Sequence, residues 1–110
     1  AAAGVMIADA DGVLTYANEA AQRSLRGMAS AVQASVPGFD PLTPVGQSLL
    51  ALHPMAARIA EADGGVQVAA LRFGESHVQL ALAALKDEDG RLAGIVANWT
   101  DRSDEVRTEE

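Results

Sequence analysis

An α+β domain, with one antiparallel sheet covered on one face by short helices, is the fold class this sequence predicts. Three observations carry that expectation. Two short apolar runs flank an Asp-Gly turn near the start, three longer apolar stretches separated by turn residues fill the last third, and helix-forming segments lie between. At 110 residues the chain has the length of one domain with one core, so one site at most is expected.

The first strand is read near residues 5–8, within the run Gly4 to Ala8, and the second over Val13-Leu14-Thr15-Tyr16-Ala17. Asp9-Ala10-Asp11-Gly12 joins them, because glycine accepts the positive φ that a tight turn requires. Asn18 stands where a helix N-cap belongs, ahead of the helix formers Glu19 to Leu25. From Gly27 to Val45 the pattern weakens. A helix over Ser30 to Ser35 stops before Pro37-Gly38, and Pro41 and Pro44 interrupt the residues beyond it, so irregular, helix-poor packing is expected there. Gly46 to Leu52 reads as one helical turn leading into His53-Pro54, and helical spacing resumes from Met55 to Ala62 before Asp63-Gly64-Gly65 stops it.

Three further strands are expected over 66–73, 76–85 and 92–99, separated by Gly74-Glu75 and by Asp87-Glu88-Asp89-Gly90. In the middle strand Val78, Leu80 and Leu82 alternate with His77, Gln79 and Ala81, the mark of one buried face and one wetter face. After Trp99 the chain turns charged. Residues 1–101 therefore read as the domain, and 102–110 as a linker or the start of an onward helix. The opening Ala1-Ala2-Ala3 and the charged ending read as an excerpt of a longer protein.

Composition narrows the function classes. A net charge of −7 disfavours nucleic acid and anionic membrane surfaces as partners. The absence of cysteine excludes disulfides, thiolate metal sites, covalently attached c-type haem and cysteinyl flavin adducts. No apolar run approaches the roughly 20 residues that span a bilayer, so a soluble, cytoplasmic piece is expected. The acidic residues Asp9, Asp11, Asp87, Glu88 and Asp89 fall in turns, where backbone geometry already accounts for them. Gly64-Gly65 is too short for a phosphate loop, and no nucleophile–base pair or close histidine pair is visible, so no catalytic activity is expected. Aromatics are only 4% of residues and alanine is abundant, which leaves room for a cavity or reflects an alanine-rich proteome.

The residues that open and close the chain resemble PAS domains, and more narrowly those of bacterial methyl-accepting chemotaxis receptors. The resemblance rests on Val5-Met6-Ile7-Ala8-Asp9-Ala10-Asp11-Gly12 with Tyr16, Asn18 and Ala20. It rests also on Asp89-Gly90-Arg91-Leu92-Ala93-Gly94-Ile95-Val96 and Trp99-Thr100-Asp101-Arg102-Ser103. It implies a five-stranded antiparallel sheet of order 2-1-5-4-3 and a pocket between that sheet and the middle helices. Some members, similar to aerotaxis receptors, hold haem b through an axial histidine seven residues after a glycine. Gly46 and His53 keep that spacing, although here His53 runs straight into Pro54 where relatives have a few residues between. Those relatives carry a final-strand tryptophan that donates a hydrogen bond to the bound gas, matched by Trp99, and a leucine on the preceding strand, matched by Leu80.

Taken without the resemblance, a lone histidine near a helix end is more often a packed or capping residue than a ligand, and a lone tryptophan more often a core plug. His77, beside the turn at Gly74, reads as a surface residue. Ala69, Ala70, Ala81, Ala83 and Ala84 are expected to leave room for a flat porphyrin. Because side chains alternate along a strand, Ile95, Ala97 and Trp99 should share one face, with Trp99 and Leu80 turned toward the pocket that His53 enters. The implied function is a chemoreceptor-like signal-input domain that binds haem b, with His53 as axial ligand of the iron. Its partners would be a diatomic gas, oxygen favoured, and a downstream signalling domain of the same chain. The alternative is a ligand-free module that mediates homodimerisation or signal relay.

Overall fold

The computed structural model describes residues 3–52 and 66–102. Along the chain run strands β1 (Gly4–Asp9) and β2 (Leu14–Ala17) and helices α1 (Glu19–Gly27), α2 (Ala29–Ser35) and α3 (Leu49–Leu52). Strands β3 (Val66–Phe73), β4 (Ser76–Lys86) and β5 (Leu92–Asp101) complete the order. The five strands form one sheet of order β2-β1-β5-β4-β3, with every neighbouring pair antiparallel.

Two hairpin turns share one construction. In the first, the Asp9 carboxylate accepts from the backbone N–H of Asp11 (2.9 Å) and Val13 (3.0 Å), while Gly12 turns through φ +86°. In the second, Asp87 accepts from Asp89 (2.9 Å) and Arg91 (3.0 Å), with Gly90 at φ +79°. An aspartate that satisfies two backbone donors and a glycine free of Cβ strain together close each turn. These carboxylates are structural, in keeping with their place in turns.

One face of the sheet is covered. Met6 and Ala8 of β1, Val78, Leu80 and Leu82 of β4, and Ile95, Ala97 and Trp99 of β5 are buried in one cluster with Ala21 and Leu25 of α1, Val32 of α2, and Leu49 and Leu52 of α3. The period-2 burial along each strand is what places one apolar row against the helices. The outer edge of β2 is closed by residues 46–49: Leu14 N–H donates to Gln47 O, Gly46 N–H to Leu14 O and Leu49 N–H to Gly12 O, each at 2.8 Å. That pairing fixes where α3 begins.

The stretch from Gly27 to Val45 follows expectation, with a helix that starts one residue before Ser30 and irregular chain beyond it. Its first half is a regular helix, α2, separated from α1 by Met28 alone, and Met28 N–H still bonds back to Ser24 O at 3.1 Å. Residues 36–48 are irregular, yet Phe39 and Pro41 are buried, so the prolines break helix without exposing the chain. The helix expected from Met55 to Ala62 lies outside the described residues. None of the described helices is long and apolar enough to cross a membrane.

Candidate functional site

Trp99 and Leu80 are directly paired across β5 and β4, and both turn to the helix-covered face, where Trp99 is 1% exposed and Leu80 not at all. Ile95 and Ala97 share that face. Phe73, at the end of β3, lies with its ring plane 9° from that of Trp99 and the centroids 6.2 Å apart, a stacked pair formed across β4.

The environment of the indole is apolar. Among the described residues the buried side chains include no charged or polar group. Trp99 Nε1 is buried and has no hydrogen-bond partner among them. Leaving such a donor unpaired costs about 1–3 kcal/mol, whereas burying some 200 Å² of indole at about 25 cal/mol per Å² contributes about 5 kcal/mol, so burial wins and the unpaired donor persists. A buried N–H in apolar surroundings is a place where one acceptor atom of a small ligand gains a hydrogen bond without displacing a protein partner.

Beyond Trp99, β5 is tied back to β4. Arg102 N–H donates to His77 O at 2.7 Å, and the Arg102 guanidinium donates to Gln79 Oε1. Arg102 thus anchors the end of β5 to β4. His77 itself lies on the sheet's other face, as expected, in register with Arg72, and is half-buried there.

The alanine expectation divides by strand parity. Ala69 is paired with Leu80 and Ala84 packs against the core, so both lie on the covered face. Ala70, paired with Gln79, and Ala81 and Ala83, flanking Leu82, point the other way and line no interior space. His53 lies outside the described residues. Among those described, no group of three or more His, Asp or Glu side chains is placed to hold a metal ion. Phe73 was not singled out from the sequence. Its signal was parity, since Ala69, Leu71 and Phe73 alternate, but the contact with Trp99 requires the register of two strand pairings at once.

No protein-family model and no curated protein matches the chain. Solved structures do. A Vibrio cholerae receptor described as a dual PAS-heme oxygen sensor is similar at TM-score 0.67 and 21% identity, over 91% of this chain and 94% of that one. The sensor region of a sensor histidine kinase is similar at TM-score 0.67 and 18% identity, over 92% of this chain but only 40% of that one. The PAS domain of BvgS from Bordetella pertussis gives TM-score 0.55 and 15% identity, over 96% and 79%. With its strand order and antiparallel pairing, the chain has the PAS fold.

Proposed function

We propose that residues 1–101 are a signal-input domain that binds haem b with His53 as axial ligand and senses a diatomic gas, oxygen before others. Residues 102–110 would lead to a signalling domain of the same chain, in a cytoplasmic setting. The observation that carries this reading is the buried N–H of Trp99, beside Leu80 and without a hydrogen-bond partner among the described residues. The similarity to a structure described as a PAS-heme oxygen sensor supports it. Haem needs apolar walls and a donor near its ligand, and the apolar cluster on the covered face together with the buried Trp99 N–H supports that reading.

Haem would supply a ferrous iron that takes up small gases reversibly. The chain supplies the rest. Trp99 would donate to the gas, Leu80 would keep water from it, and the pull on the indole would fall on β5, three residues before Arg102. Because Arg102 is bonded to His77 and Gln79 of β4, a shift of β5 alters the hold on the chain just where it leaves the sheet. The test is an absorption spectrum of protein expressed with ample haem. A Soret band in the wild type that is lost in His53→Ala is expected, and a wild type without one overturns the haem reading.

A second reading, a ligand-free module that pairs with its own copy, is favoured by the sheet's other face. Tyr16, Ile7, Val96, Ala83 and Val66 are successive cross-strand partners and form one apolar row over all five strands. Val66 and Val68 are 60% and 56% exposed. Sedimentation of the wild type as a dimer, and of Val68→Lys as a monomer, is the outcome this reading requires.

A further inference from the structure

We infer that Phe73 is a positioning residue, which holds the Trp99 indole so that its N–H stays available to a ligand's acceptor atom; this rests on Trp99 being the ligand's donor. A buried donor is drawn to any carbonyl within reach, and the indole can turn about two side-chain bonds. Turning would break the near-parallel contact with Phe73, whose plane lies 9° from its own. Phe73 is itself held. It is 4% exposed and paired with Ser76 across a two-residue turn in which Gly74 adopts φ +62°. A Cβ at Gly74 would lie 3.2 Å from the Cβ of Ala31, so α2 packs against that turn. The hairpin and α2 thus fix the phenyl ring, and the phenyl ring fixes the plane of the indole. The acceptor this arrangement suits is a single, partly negative atom of a small ligand, since no buried side chain among the described residues offers a polar group to a second one.

Trp99 is the only tryptophan, so ¹⁵N-labelled protein gives one indole N–H resonance, readable with or without haem. In the full chain without haem, the wild-type signal should stand at the position of an unpaired indole. Phe73→Leu should move it toward a hydrogen-bonded or solvent-exchanging position, and Phe73→Tyr, which keeps a ring, should leave it. In haem-loaded protein, Phe73→Leu should raise the oxygen dissociation rate about two- to tenfold and leave carbon monoxide dissociation near the wild-type value. If Phe73→Leu does not fold, Phe73→Met replaces it. An indole signal unmoved by loss of the ring, or moved as far by tyrosine as by leucine, overturns the inference. A chain that takes up no haem removes the haem reading alone, because the indole resonance still judges Phe73.

Discussion

Val5 and Asn18 are joined twice: Val5 N–H donates to Asn18 Oδ1 at 2.9 Å, and Asn18 N–H donates to Val5 O at 2.9 Å. The same Oδ1 accepts from Ala21 N–H at 2.9 Å, so one side chain caps α1 and fastens it to β1. Replacing Asn18 with alanine removes both of the bonds that Oδ1 accepts. The expected loss is about 1–2 kcal/mol, read from urea unfolding, with the slope of the transition unchanged. Asn18→Asp keeps the acceptor and should recover most of it.

The two Asp-Gly turns predict matched costs. Asp9→Ala and Asp87→Ala each strip two backbone N–H groups of the same kind of acceptor at nearly the same distances. Since these turns are exposed, water replaces part of the loss, and about 1 kcal/mol is expected for each in thermal or urea unfolding. A large cost at one and none at the other would show that the turns are not equivalent.

Two glycine-to-alanine changes should carry opposite signs. At Gly94 an added Cβ would sit 2.6 Å from the carbonyl oxygen of Ala8, so β1 and β5 must part, and a loss of about 1–3 kcal/mol is expected. At Gly27, the last residue of α1, nothing lies within 4 Å, and Gly27→Ala should stabilise by up to about 1 kcal/mol. Unfolding midpoints of the two variants decide it.

For gas binding, Trp99→Leu separates a donor from a space-filler. Oxygen bound to ferrous haem carries more negative charge on its outer atom than carbon monoxide does. A hydrogen bond is worth about 1 kcal/mol net and more toward a charged acceptor, so oxygen affinity should fall roughly tenfold or more. Carbon monoxide affinity should change far less. Paired titrations of the ferrous proteins check this, and equal losses for both gases would mean that the indole only fills space.

What the sequence determined by itself was whatever depends on residues close in the chain. The alternation in Val78, Leu80 and Leu82, the glycines at 12, 74 and 90, and the cap at Asn18 each express a local rule, and strands β1 to β5 and helix α1 stand within a residue or two of where those rules put them. The strand order came from the resemblance of the two chain ends to PAS domains, and pairing β1 with β5 agrees with it. Helix α2, expected over Ser30 to Ser35, begins one residue earlier and ends where expected, ahead of Pro37-Gly38. What the tertiary structure alone decided was contact between residues far apart in sequence. Which alanines face inward depends on how β3, β4 and β5 register, and the meeting of Phe73 with Trp99 depends on two such registers together. Likewise, whether the Trp99 N–H finds a partner depends on every group around it. No local pattern encodes the lack of one, so only the folded chain could display a donor that is unpaired among the described residues.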